Sequence, residues 1–369
     1  MSRIRVGIVF GGCSGEHEVS LAGAASVLAA LDRTRFEPVP IGITRDGRWL
    51  AGGDPLQTLA DEASRRALTA GGPEASVRRE LAERAGQVHV STALARREST
   101  DGLPAGLREE LDVVLIMLHG PYGEDGTIQG MLELAGLPYV GAGVLGSAIG
   151  MDKGAMKDMF RAHGLPVVEY RMVRRHEWEE APALIERGVA EAIGFPCFVK
   201  PANLGSSVGI SKVKDAGELG AALAEAARHD RRLLVERAVH GREVEVAVLG
   251  NDRPEASVPG LVSYAGEWYD YETKYGLGHT SLQIPAPLSP EATAEVRALA
   301  IRAFQAIDAA GLARVDFFVE DGEHLLVNEI NTLPGFTATS AYPRLWEASG
   351  LAYPELISRL IELAFERRR

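Results

Sequence analysis

The chain has 369 residues, 46% hydrophobic and 24% charged, the balance of a globular protein with room for two or three domains. With 39 Lys and Arg against 51 Asp and Glu the net charge is -12, which excludes general affinity for nucleic acid or an anionic membrane, so any phosphate site has to be assembled locally. Cys13 and Cys197 form no C-x-x-C pair, which argues against a disulfide framework or a zinc site and suits a reduced, cytoplasmic setting; the longest apolar run, Val113 to Leu118, is far below the roughly 20 residues that span a bilayer.

In chain order, residues 3 to 10 read as a buried strand, followed by the glycine loop GGCSGEHEVS and an apolar-periodic helix to about Leu31. Further strands are expected near Val39 to Ile43 and at Val113 to Leu118, the latter a continuous apolar run of the kind buried in parallel sheets, so this half is Rossmann-like. Residues 45 to 110 show little periodicity and read as short helices and loops without chemistry. The glycine loop departs from G-x-G-x-x-G, which leaves little case for a dinucleotide. Glu16, His17 and Glu18 at the helix start either complement its macrodipole or place Glu16 to hold a ligand's ammonium group at the mouth of the sheet. A second glycine-rich loop, HGPYGEDGTIQG, follows the next strand and brings His119 and Glu124 towards the same crevice.

Leu137 to Gly143 closes the first domain. Lys153, in the first turn of a helix where a cation is disfavoured, is read as meeting an anion. The stretch FPCFVKPANLGSSVGISKV puts Lys200 at a strand end before a loop of Gly205, Ser206, Ser207 and Gly209, whose backbone N–H groups can wrap a phosphate, although no P-loop motif is present. A helix over 215 to 229 and two strands follow. Their Glu236 and Glu243 are either adenine-edge or ribose contacts or ordinary surface carboxylates. The aperiodic stretch from Glu267, with its three tyrosines, is a lid or a packed surface loop.

An amphipathic helix over 290 to 310 leads to a hairpin turning at Asp321-Gly322. An even-numbered loop sets Arg314 opposite Glu329 and Asp316 opposite Val327, with Arg314, Asp316, Glu329 and Asn331 on one face by strand alternation. Such a face either holds a hard cation against phosphate or is a solvated sheet surface. A helix over 353 to 366 closes the chain.

The strings VFGGCSGEHEVS, HGPYGEDGTIQG, GMDKGAMK, FVKPANLGSSVGISKV, YDYETKY and RVDFF with NEINTLPGFTATS, in this order, closely resemble the D-alanine:D-alanine ligases of the ATP-grasp superfamily over nearly the whole chain apart from 45 to 110. The resemblance implies an α/β, ATP-grasp fold. It would comprise an N-terminal Rossmann-like (preATP-grasp) domain over 1–145 with the first substrate site, a central small α+β subdomain over 146–237, and a C-terminal α+β subdomain over 238–369 with a metal site and a lid at 264–282. It implies ATP-dependent ligation of two D-alanines through a D-alanyl phosphate, for peptidoglycan precursor synthesis, with D-alanine:D-lactate or D-alanine:D-serine ligation as the alternative. It also implies a cytoplasmic homodimer using two Mg²⁺ ions, or Mn²⁺ in their place.

Carried onto this sequence, the resemblance makes Lys153 and Lys200 nucleotide and phosphate contacts, with Ser206 and Ser207 in the loop that closes over the phosphates. Glu236 and Glu243 match the adenine-edge and ribose positions, and Asp316, Glu329 and Asn331 the metal ligands. Glu16 matches the holder of the first D-alanine's ammonium, with His119 nearby; Arg314 and the Gly335 N–H match the oxyanion pair, and Ser340 the contact to the second substrate's carboxylate. Ser206 and Tyr275 join the catalytic set and Lys274 the nucleotide contacts, the Lys274-Tyr275 pair being the dipeptide-forming pattern. Two departures are His279 after that pair and Ala341, where relatives commonly carry a larger apolar residue.

Overall fold

The computed structural model describes residues 3–70, 73–90, 92–100, 102–205, 209–264 and 280–367. The first sheet has five strands, β1 (Ile4–Gly11), β2 (Phe36–Ile43), β3 (Trp49–Gly53), β4 (Thr92–Ser99) and β5 (Val113–Ile116), in the order β4-β3-β2-β1-β5. β1 pairs parallel with β2 and β5, and the apolar runs of these strands are buried, as the Rossmann-like reading expects. Gly11, at the end of β1, has φ +93; a Cβ there would lie 2.2 Å from the Ile43 carbonyl, so only glycine lets the chain leave the sheet at this point.

Residues 45 to 110 hold helices, as expected, but also two strands that the sequence reading did not include. They extend the sheet with the antiparallel strands β3 and β4 and fold back as helices Pro55–Ala70 and Pro73–Ala85, which pack against helix His17–Ala30. Their buried stripe of Leu56, Leu59, Ala60 and Ala63 has helical spacing but is half alanine, too weak a hydrophobic contrast to stand out among Arg and Glu.

The second sheet is antiparallel: β6 (Tyr170–Arg174), β7 (Cys197–Pro201), β8 (Ser211–Val213) and β9 (Arg232–Arg237), in the order β6-β9-β7-β8. One face buries Val173, Val199, Leu233 and Val235 with Val189 and Leu223 from helices Pro182–Ala192 and Ala216–Ala227. Alternation puts Phe198, Lys200 and Glu236 on the other face.

The third sheet runs β13-β12-β10-β14-β15, with the short β11 (Glu255–Ala256) on β10. Its strands are β10 (Arg242–Gly250), β12 (Gly260–Tyr264), β13 (Thr280–Gln283), β14 (Gly311–Glu320) and β15 (His324–Asn331). Val244, Val246, Val315 and Phe317 pack with Phe304 of helix Pro290–Ala306 and with Met156 and Phe160 of helix Lys153–Ala162. Ser289 caps the former helix, its Oγ accepting from the Ala292 N–H at 3.1 Å. The closing helix, Tyr353–Glu366, buries Leu356, Ile357, Leu360 and Ile361 in the same core as the first sheet. Packing order therefore differs from chain order at both ends of the C-terminal half.

The β14–β15 hairpin corrects the expected register. Its loop has three residues, Asp321 to Glu323, with Gly322 at φ +73, so Glu320 opposes His324. A bulge between Asp316 and Phe317 on the pairing path then shifts the register by one more residue, taken up at Asn328. Arg314 thus opposes Asn331, not Glu329, and Asp316 opposes Glu329, not Val327. The two one-residue offsets add to an even number, so the four side chains still share the face opposite the core residues Val315 and Ile330.

Candidate active site

The polar faces of the second and third sheets and the loops after β1 and β5 enclose one cavity of about 710 Å³. Every expected site residue that lies among the described residues lines it. Ser206, Ser207, Lys274, Tyr275 and the body of the expected lid lie outside the described residues.

On the third sheet, Arg314 donates from Nε and Nη2 to the two oxygens of Asp316, both at 2.7 Å, in the bidentate geometry that guanidinium and carboxylate favour. Glu245 Oε1, from the neighbouring strand, is 3.3 Å from the same Nε, and Asn331 Nδ2 donates to Asp316 Oδ2 at 3.0 Å. Glu329 faces Lys153, whose Nζ is 3.2 Å from Oε2. Burial alone would pull the Lys153 ammonium's pKa down, but the Glu329 charge outweighs it and the pKa is raised. Lys153 is held in place from both sides of its helix start. Its N–H donates to the Ala202 carbonyl at 2.9 Å, and Asp152 caps the helix by accepting from Ala155 N–H at 2.8 Å while also binding Asn203 at 2.9 Å.

Asp316 and Glu329, directly opposed across the β14–β15 ladder, and Asn331, two residues further along β15, offer hard oxygen donors on one face of the sheet. Among the described residues no group of three or more His, Cys, Asp or Glu could hold a metal ion by itself. Two carboxylates and an amide fit Mg²⁺, which takes few protein ligands and completes its shell with water and phosphate oxygens.

On the second sheet, Glu236 is 2% exposed and ion-paired to two lysines: Lys200 on Oε1 and Lys157, 3.2 Å from Oε2. Burial pushes its carboxyl up, yet the Lys200 and Lys157 charges prevail and hold it at about 2. Lys157 was not singled out from the sequence; its signal is its place one turn after Lys153 on the same helix. Glu245, beneath Arg314, was also missed, and it is legible only as the second inward position after Glu243 on β10, where Glu243 opposes Phe318 and Glu245 opposes Asp316.

The loops from the first sheet form the third wall. Glu16 precedes helix His17–Ala30 and its N–H donates to Ser14 Oγ at 3.2 Å. The loop is anchored by Arg45, which donates to both oxygens of the buried Glu18 at 2.6 and 2.7 Å and to the Ser14 carbonyl at 3.2 Å. The buried His119 donates from Nδ1 to the Leu333 carbonyl at 3.1 Å. Burial pulls its pKa below the ordinary imidazole value against the pull of Glu16, so the ring is neutral with Nε2 as an acceptor. Gly335 and Ser340 close the wall: Ser340 Oγ accepts from the Thr337 N–H at 3.1 Å, and a Cβ on Gly335 would stand 3.3 Å from that oxygen. Leu81 and Arg84, from the stretch expected to be without chemistry, also reach the cavity.

Glu124 is pushed up to about 8, first by burial and then by the charge of Glu16. Its folded pKa lies above the unfolded value, so the native state favours the protonated carboxyl, and stability falls as pH rises from the unfolded pKa through about 8. The slope in that window is at most about 1.4 kcal/mol per pH unit. Glu124→Gln removes the ionisation. Its melting temperature is expected to gain on the unaltered protein between pH 5 and 8 in scanning calorimetry, and parallel curves would refute this account.

Comparison with known proteins agrees with this architecture. Residues 5–142 match the profile described as D-ala D-ala ligase N-terminus and residues 159–362 that of the D-ala D-ala ligase C-terminus. A D-alanine--D-alanine ligase of Streptomyces avermitilis is 48% identical over 98% of this chain and 94% of its own length. The structure of the D-alanine-D-alanine ligase from Coxiella burnetii superposes with a TM-score of 0.77 at 36% identity, covering 100% of this chain and 95% of that one. VanG D-Ala:D-Ser ligase from Enterococcus faecalis also gives 0.77, at 30% identity over 98% of this chain and 100% of its own. With its ATP-grasp architecture and matches along nearly its full length, the chain belongs to the D-alanine–D-alanine ligase family.

Proposed function

We propose that this protein joins two D-alanines into D-alanyl-D-alanine, converting one ATP to ADP and phosphate, as a step in supplying peptidoglycan precursors. The observation that carries this reading is the convergence in one cavity of two lysines for phosphate, an opposed Asp316–Glu329 pair, and Arg314 facing the Glu16 loop. The carboxylate of the first D-alanine attacks the γ-phosphorus of ATP; the new P–O bond forms as the β,γ-bridging P–O bond breaks, and ADP leaves with the electron pair. The amine of the second D-alanine then attacks the acyl carbon of this D-alanyl phosphate. The tetrahedral intermediate collapses by losing phosphate, and the attacking nitrogen gives up a proton.

Each residue has a part in these steps. Glu16 holds the ammonium of the first substrate. Lys153 and Lys200 take the phosphates, with Glu236 and Glu243 on the nucleoside. Arg314 and the Gly335 N–H stabilise the oxyanion of the intermediate. Ser340 receives the second carboxylate. Ser206 and Ser207 belong to the loop over the phosphates, Lys274 contacts the nucleotide, and Ser206 and Tyr275 complete the catalytic set. Asp316, Glu329 and Asn331 would hold Mg²⁺, as two ions, or Mn²⁺ in their place; bound there, the metal neutralises phosphate charge as it shifts to the leaving oxygen.

Homodimerisation gives a use to an exposed apolar patch in which Val144, 44% exposed, packs beside Gly130 and Leu134, 93% exposed, lies one helical turn further on. Among the described residues no helix is long and apolar enough to cross a membrane.

The test is phosphate release and product analysis with ATP and Mg²⁺ and with D-alanine, D-lactate or D-serine as second substrate. The dipeptide D-alanyl-D-alanine should dominate the mixture at neutral pH. Efficient formation of the ester or of the D-serine product would reassign the second substrate, and absence of D-alanine-dependent phosphate release would remove the reading altogether.

A further inference from the structure

Lys157 has no part in the ligation steps above, yet it is 1% exposed and sits against the nucleotide wall. Burial pulls its pKa down, so its place has to be justified by what it neutralises. Its Nζ donates to the Asn328 carbonyl at 3.1 Å and stands 3.2 Å from Glu236 Oε2. That oxygen is buried and accepts no hydrogen bond, so the pairing is electrostatic and out of line. The other oxygen of Glu236 is taken by Lys200, which is 13% exposed and faces the cavity. One buried carboxylate therefore carries two cations, one fully buried and one at the surface of the cleft.

The arrangement bears on how phosphate can be bound. An anion entering the cavity draws Lys200 towards itself and away from Glu236. Left alone, a carboxylate that is 2% exposed would be an uncompensated buried charge, and its cost would be subtracted from nucleotide affinity. With Lys157 in place the charge stays balanced, and the unused lone pairs of Oε2 give its ammonium a position to move into.

We infer that Lys157 is a positioning residue for the nucleotide: the standing counter-ion of Glu236 that releases Lys200 to the phosphates. The inference rests on the nucleotide reading of the cavity given above. Its test is calorimetric titration of the full chain with ADP and Mg²⁺, comparing Lys157→Met, Lys157→Gln, Glu236→Gln and the Lys157→Met/Glu236→Gln double variant, with melting temperatures alongside. Lys157→Met and Lys157→Gln should each weaken ADP binding by about tenfold or more, since both lose the charge while Gln keeps a donor for the Asn328 carbonyl. In the Glu236→Gln background, where no carboxylate needs a counter-ion, adding Lys157→Met should change affinity by less than about twofold.

A purely structural lysine would lower the melting temperature and leave ADP affinity unchanged. That result, or equal losses in both backgrounds, overturns the inference. If the single variants fail to fold, the double variant, which buries no unpaired charge, decides: affinity matching Glu236→Gln supports the counter-ion role and weaker affinity refutes it. Failure of the unaltered chain to bind ADP would instead bring down the nucleotide reading and is distinguishable at once.

Discussion

Arg314→Ala should slow dipeptide formation by roughly a hundredfold or more while ADP affinity stays within a few-fold of the unaltered protein, the loss of about 3 kcal/mol that follows removal of one oxyanion donor. The selectivity comes from the partition of the cavity. Lys153 and Lys200 stand on the helix and sheet opposite, tied to Glu329 and Glu236, and neither depends on Arg314. The guanidinium is fixed on a central strand by two 2.7 Å hydrogen bonds to Asp316, so it is pre-aimed and loses little freedom when charge develops beside it. Arg314→Lys keeps the charge but not the fork and should fall between the two. Near-normal turnover in Arg314→Ala would remove Arg314 from the oxyanion role.

Glu329→Ala should cost about a thousandfold in turnover, because a metal held there, as proposed, would contribute several kcal/mol of charge stabilisation and the substitution deletes one of two carboxylates on offer. It also takes away the partner whose charge raises the Lys153 pKa, so the lysine is left buried with less compensation. A readout independent of turnover is the effect of Mg²⁺ on ADP affinity, which should be marked in the unaltered protein and nearly absent in Glu329→Ala. Equal Mg²⁺ enhancement in both would transfer the metal to other ligands.

Much of this cavity was legible in the residues because its parts lie at strand ends, where short apolar runs stop abruptly at charged or glycine-rich loops: Phe10 before the Glu16 loop, Leu118 before His119, Val199 before Lys200. Such junctions are local, and local patterns are what a sequence displays. Lys157 and Glu245 were missed for the opposite reason. Each is defined by what lies across from it, Glu236 on a strand facing the helix of Lys157 and Arg314 on the strand beside that of Glu245. The helices of 55 to 85 are longer than the short ones expected, and their extent was indistinct because alanine supplies half of the Leu56–Ala63 stripe, which is covered by the neighbouring helices Pro73–Ala85 and His17–Ala30 and by β2.

The pairing of β14 and β15 was wrong in detail, and the correction was written in the apolar positions themselves. Leu325 and Val327 point to the core at odd numbers, and then Ile330 does so at an even one. A break in alternation of that kind is the trace of an extra residue.

That extra residue makes spacing, rather than identity, the information carried at position 328. Asn328 meets Lys157 through its carbonyl, which any amino acid supplies, so its side chain is open to exchange. Its place outside the ladder is not. If the strand paired straight through, with Asn328 taking a rung of its own, Ile330 would turn to the cleft while Glu329 and Asn331 went into the apolar interior, and every proposed oxygen donor of β15 would be lost from the cavity with no residue changed.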